Sequence, residues 1–139
     1  MIEAGRRAEF EQITIRVSPG AGHTIQRHFR GFHPVEAWNP DVNIYQLEGR
    51  IEVCVDLAGV QPESVEVHVT AEQLSIRGIR QAPDPRPQCD QPMRIIAMEI
   101  DHGPFCRTIR IPDRINYNGV RTEYVNGMLW IRLPMRTHA

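Results

Sequence analysis

The chain contains no lysine, so all 16 of its basic side chains are arginine. Arginine pairs with carboxylates in a bidentate fashion and is more weakly hydrated than lysine, which suits ion pairs at interfaces. A GC-rich coding bias would give the same composition. Net charge is also nearly absent, at -1 from 16 basic and 17 acidic side chains. That excludes a broad electrostatic attraction to nucleic acid or to an anionic membrane. Cysteine is scarce, and an odd count of 3 at wide spacing builds no disulfide framework. Cys54 and Cys106 fall within strand patterns, where a buried thiol behaves as a small hydrophobe, and Cys89 falls in a polar loop. No apolar run approaches the roughly 20 residues that cross a bilayer. The segment from Met1 to Arg7 has no apolar stretch of the secretory kind, so the expected compartment is a reducing cytoplasm.

Catalytic signatures are missing as well. There is no phosphate-binding P-loop and no glycine-rich dinucleotide turn, which speaks against nucleotide-driven action. His23, His28 and His33 are five residues apart, a spacing that aligns neither on a helix face nor as zinc-finger ligands. Cys54, Asp56 and His68 fall on the polar phase of strands, with no strand-to-helix elbow or oxyanion loop beside them. They read as cross-strand surface pairs. No catalytic, cofactor-binding or metal-binding residue is expected, and the chain does not read as an enzyme.

What is present is an all-β pattern behind a separate arm. The 139 residues favour one domain plus a short extension. Residues 1–36 form the arm, with scattered apolar residues and a break at Ser18-Pro-Gly-Ala-Gly-His23. From Trp38 onward, apolar residues alternate with polar ones. Val42 to Tyr45 is a short strand, and Ile51, Val53, Val55 and Leu57 alternate with Glu52, Cys54 and Asp56. Val65, Val67 and Val69 repeat the pattern, Leu74 and Ile76 continue a hairpin, and Phe105, Arg107, Ile109 and Ile111 give another strand. Val120 to Val125 and Met128 to Leu133 are the last two. Between them, Gln81 to Pro92 carries Pro83, Pro85, Pro87 and Pro92, which excludes a central strand and gives a long, stiff loop. A strand signal returns at Met93-Arg-Ile-Ile-Ala97. Short strands separated by frequent turns predict a β-sandwich.

Five short motifs in order carry a resemblance to a known family. They are Trp38-Asn-Pro-Asp-Val-Asn-Ile-Tyr45, Val55-Asp-Leu-Ala-Gly-Val60, Leu74-Ser-Ile-Arg-Gly78, the run Glu99 to Arg107 with Ile111-Pro112, and Asn126-Gly-Met-Leu129. Together they resemble the α-crystallin domain of the small heat-shock proteins, with Ala58 where that family usually has proline. The resemblance implies an immunoglobulin-like β-sandwich over residues 37–134, preceded by a flexible N-terminal arm and followed by a short tail, 135–139.

It also implies a homodimer made by strand exchange, in which Met93, Arg94, Ile95 and Ile96 cross to pair with Val42, Ile44 and Tyr45 of a second copy. Mutual pairing would remove exposed ladder groups from two edge elements. Glu99 and Arg107 match the family's acid and arginine that meet across the dimer. The plainer reading is a solvated surface pair contributing about 0–1 kcal/mol.

Family members often end in an Ile-x-Ile/Val segment that docks in a groove of another dimer. No such motif follows Pro134 here, which puts the usual large assembly in doubt. The groove walls map to Val65, Val67 and Val69 on one side and Val120, Thr122, Leu129 and Ile131 on the other. Ile13-Thr-Ile15-Arg-Val17 of the arm either fills this groove as an added strand or makes an ordinary arm contact.

The implied function is that of an ATP-independent holdase. Phe10, Ile13, Ile15, Val17, Phe29 and Phe32 are the candidates for contact with unfolded clients, alongside assembly with other copies of the chain. The alternative is a non-chaperone interaction or co-chaperone module of the CS-domain type, which the long proline-rich loop disfavours.

Overall fold

Alternation of apolar and polar residues builds two antiparallel sheets whose apolar faces meet. The computed structural model describes residues 13–17, 20–21, 38–85, 92–112 and 114–137. One sheet has four strands: β1 (Ile13–Arg16), β5 (Glu66–Val69), β6 (Gln73–Arg80) and β7 (Gly103–Arg110), in the order β1-β5-β6-β7. The other has five: β2 (Gly20–Ala21), β3 (Val42–Leu47), β4 (Arg50–Asp56), β8 (Arg121–Val125) and β9 (Met128–Pro134), in the order β2-β8-β9-β4-β3.

Strand β4 shows why the period of two gives this arrangement. Ile51, Val53 and Val55 are buried, whereas Arg50 and Asp56 are exposed. The register sets Val53 beside Ile131 of β9 and Ile44 of β3, so one aliphatic layer runs across the sheet. Val65, Val67, Val69, Leu74, Ile76 and Phe105 supply the facing layer, all fully buried.

Two glycines are required by geometry. Gly127 (φ 75°) and Asn126 (φ 54°) form the two-residue turn between β8 and β9, where left-handed backbone matches the twist of a hairpin. Gly78 lies where a Cβ would sit 2.7 Å from the Phe105 ring and 2.9 Å from the Ser64 carbonyl. Any side chain there would displace the largest fully buried side chain.

Trp38 ties the start of the domain to the four-stranded sheet. It bridges to Phe105, its ring lies 5.1 Å from the Phe105 ring, and its Nε1–H donates to the Gly103 carbonyl at 2.9 Å. The Arg80 guanidinium stands 4.0 Å over the indole and also donates to the Asp101 and Ala58 carbonyls.

Three sequence readings change. The expectation of Cys54, Asp56 and His68 as surface residues fails at His68, which is 7% exposed. The reason is the added strand β1, which places Thr14 directly beside it. Cys54 and Cys106 are half-buried rather than buried, because both lie on the outward phase of their strands. Ile13–Arg16, read as part of a separate arm, forms one edge of the four-stranded sheet. Met93 to Ala97 forms no ladder with any of the described residues, and all five residues are exposed.

Candidate functional site

A two-sheet sandwich has two flanks where strand edges are open. One flank joins the edges of β5 and β8, and the other joins the edges of β3 and β7. The chain treats them differently.

On the first flank, the segment 13–21 covers both edges in turn. Strand β1 lies antiparallel to β5, with Ile13 opposite Val69 and Ile15 opposite Val67. The Val17 N–H continues the contact by donating to the Val65 carbonyl at 3.2 Å. Gly20 and Ala21 then pair with Tyr124 and Glu123 of β8. Ile13, Ile15 and Val17 are 1–2% exposed, and they belong to the same buried cluster as Val65, Val67, Val69, Val120, Leu129 and Ile131, with Thr122 also buried. All the residues assigned from sequence to the groove walls therefore lie on the inward faces of β5, β8 and β9 or at their ends.

Burying three aliphatic side chains contributes about 5–9 kcal/mol. Fixing five backbone residues costs about 5–10 kcal/mol. The two terms nearly cancel, so docking of this segment rests on a small remainder supplied by hydrogen bonds.

One of those bonds joins side chains across the sheet. Thr14 Oγ1 and His68 Nδ1 are 2.9 Å apart, and both residues are buried. Burial holds the His68 imidazole below the ordinary histidine range, Arg77 adds to this, and Glu66 opposes it. Along the same outer face, Arg77 Nη2 donates to Glu66 Oε2 at 3.3 Å, and Arg16 Nη1 donates to the Glu63 carbonyl at 3.3 Å. Sequence reasoning took His68 as a surface residue. The available signal was the register that Ile13-Thr-Ile15 imposes: aliphatics facing Val67 and Val69 put Thr14 on His68.

The second flank carries no such cover among the described residues. Strand β3 is the last strand of its sheet, and Ile44, Tyr45 and Leu47 are 50%, 46% and 37% exposed, with Val42 half-buried. The run from Met93 to Ile100, in the connection between β6 and β7, is exposed throughout, with Ile96 at 93%. Ala82, Pro83 and Pro85 join that run around an open cleft of about 400 Å³. Met93, Arg94, Ile95, Ile96 and Glu99 thus lie together on one apolar-lined loop. Arg107, half-buried on β7, donates from Nη1 to the Pro40 carbonyl at 3.1 Å. Within the chain no ion pair joins it to Glu99. Phe10, Phe29 and Phe32 lie outside the described residues.

The outer face of the five-stranded sheet is polar. Glu52 pairs with Arg132 at 2.9 Å and with Arg50 at 3.3 Å, and Arg132 also meets Glu123. The Arg132 hydrogen bond holds the Glu52 carboxyl below its ordinary range, with burial opposing it. The Tyr45 and Trp130 rings stack nearby at 6.2 Å. Burial and then Asp56 push the Cys54 thiol up. Among the described residues no group of three His, Cys, Asp or Glu side chains gathers to hold a metal, and no helix is long and apolar enough to cross a membrane.

Known proteins with this arrangement share one fold. A solved structure of hspA from Xanthomonas axonopodis superposes with a TM-score of 0.62 at 31% identity, covering 73% of this chain and 98% of that one. Among curated proteins, heat shock protein 16 of Schizosaccharomyces pombe is 29% identical over 98 residues, covering 69% of this chain and 66% of its own length. Spore protein SP21 of Stigmatella aurantiaca is 32% identical over 81 residues, or 58% of this chain and 46% of that protein. The matched region thus spans about half to two-thirds of these two curated relatives. The Hsp20/alpha crystallin family matches residues 43–139, which takes in β3 to β9, the exposed loop and the β8–β9 turn, and the chain belongs to that family.

Proposed function

We propose that the protein is an ATP-independent holdase chaperone that binds partly unfolded proteins and suppresses their aggregation, acting as a homodimer that assembles further. The observations that carry this reading are the open outer edge of β3 and the exposed apolar run from Met93 to Ile100. Ladder groups on an edge strand are a template for another strand. The exposed run Met93 to Ala97 is strand-like in sequence and has no ladder of its own. In a dimer, Met93, Arg94, Ile95 and Ile96 of one copy would add to Val42, Ile44 and Tyr45 of the other. Glu99 would reach Arg107 across the contact, giving orientation more than net stability. Pro83 and Pro85 restrict the chain leading into the run, which lowers the entropy lost when it crosses.

The closed flank supports the second half of the reading. Ile13, Ile15 and Val17 fill the β5–β8 groove, so the same side chains contact clients only when the segment leaves it. Weak apolar contacts repeated over an assembly add through effective concentration, which suits capture of many unrelated clients. Family membership and the similarity to heat-shock proteins agree with this activity.

An aggregation assay on a heat-denatured client, run beside a mass measurement, tests the proposal. Protection should be roughly stoichiometric and independent of nucleotide, with the protein dimeric or larger. Protection that requires ATP, or a strictly monomeric protein, overturns it.

A further inference from the structure

The β5–β8 groove is shut by a segment whose central residue touches a histidine. Thr14 sits between the two isoleucines that enter the core and meets His68 Nδ1 at 2.9 Å. Both side chains are almost fully buried, although they lie on the outward phase of β1 and β5. Neutral His68 with its proton on Nε2 accepts the Thr14 hydroxyl. Protonation at Nδ1 does not by itself break the contact, because the hydroxyl can turn and accept instead. What changes is that a cation is then buried under the docked strand.

The charged surroundings decide how well that cation is tolerated. From β5, Glu66 favours it, but the Glu66 carboxylate is already engaged by Arg77 of β6 at 3.3 Å. From β1, Arg16 lies opposite Glu66 and adds positive charge on the same face. From β6 and β7, the neighbours in the His68 row are the neutral hydroxyls Ser75 and Thr108, with Arg110 one row further on. Among the described residues, Arg77 acts in the same direction as burial and disfavours an imidazolium, and Glu66 opposes it.

We propose that His68 is a proton gate on the arm: the neutral ring keeps β1 docked on β5, and the protonated ring drives β1 off and opens the groove. The inference rests on the reading of the β5–β8 groove as a docking site given above. Opening frees Ile13, Ile15 and Val17 together with the β5 edge, so acidification converts a shut flank into a strip that accepts an extended aliphatic segment of a client. The sign follows from linkage. Above the ordinary histidine value of 6.5 both docked and released states hold His68 neutral, and docking is at full strength. As pH falls below it, the released state takes up the proton first, and docking weakens until the docked value is passed.

Hydrogen exchange on the full chain reads this directly. At about pH 7.5 the amides of Ile13, Ile15 and Val17, and of Val67 and Val69 opposite them, should be protected. At about pH 5.5, after correction for intrinsic rates, they should exchange severalfold faster, while β4 and β9 keep their protection. His68→Gln keeps a neutral hydrogen-bonding side chain and should stay protected at both values. Equal protection of the wild type at both values, or acid opening of His68→Gln to the wild-type extent, overturns the gate while leaving groove docking intact. Absence of protection at Ile13, Ile15 and Val17 at both values overturns groove docking and the gate together. If His68→Gln does not fold, an NMR titration of the wild type decides. The His68 ring and the Ile13 and Ile15 methyl groups should share one midpoint below the ordinary histidine value, and separate midpoints overturn the proposal.

Discussion

The two flanks of the sandwich face the same problem and solve it differently. Both end in strands with unsatisfied ladder groups beside an apolar layer. On the β5–β8 flank the chain supplies its own strand, and Ile13 and Ile15 are buried. On the β3–β7 flank, Ile44 and Ile96 remain exposed. An edge satisfied within the chain is independent of concentration, whereas an edge left for a second copy closes only by mass action. The difference separates a part of the molecule that responds to conditions from a part that responds to amount.

The largest expected effect falls on the open flank. Ile95→Asp with Ile96→Asp places charge where a second copy would pack. Burying an unpaired charge costs about 3–5 kcal/mol, and each 1.4 kcal/mol is tenfold. Self-association should weaken by about 100-fold or more in sedimentation equilibrium, with the monomer's secondary structure intact. An unchanged dimer constant would remove the open flank from the interface.

Next comes a matched pair of truncations. Ile15→Ala removes about 2–5 kcal/mol from a docked segment held by a small remainder, so β1 should be released at neutral pH. Trypsin cleavage after Arg16 would accelerate accordingly. Ile44→Ala, at a half-exposed site, should change monomer stability by no more than about 0.5 kcal/mol and leave that cleavage rate alone. Acceleration by Ile44→Ala would mean that the flanks are coupled.

The smallest effect belongs to neither flank. Glu52→Gln breaks exposed ion pairs with Arg50 and Arg132, worth about 0–1 kcal/mol in urea unfolding. Because the folded state holds the Glu52 carboxyl low, its contribution is present above the ordinary glutamate range and is lost as pH falls through the lowered value. Salt should shrink it further.

What the sequence revealed follows the same division. Alternation at Ile51, Val53, Val55 and Leu57 fixes which face of β4 is buried, since a one-residue slip would invert it. Asn126-Gly127 announces its hairpin through backbone that few other residues adopt. Gly78 is the end of a short motif whose reason is the Phe105 ring above it. These are local signals. The pairing of β1 with β5 and of β2 with β8 is not local: the alternation in Ile13-Thr-Ile15 offers an added strand, and only the groove implied by resemblance gives it a place. Burial of His68 follows once that register is laid down. Arg107 was assigned to an interface by resemblance alone, and its bond to the Pro40 carbonyl depends on the course of the chain before β3.

The position of β1 in the chain has a consequence for synthesis. Thr14 and His68 are separated by 54 positions, and the partner of Gly20 lies on β8, near the end of the domain. A ribosome adding about 5–20 residues per second therefore exposes Ile13 and Ile15 seconds before any surface exists to receive them. β1 must wait for β5 and β2 for β8, so this segment cannot settle in full until nearly the whole domain has been made. Every newly made copy thus passes through the open form, and self-closure competes from birth with whatever extended apolar strand is nearby.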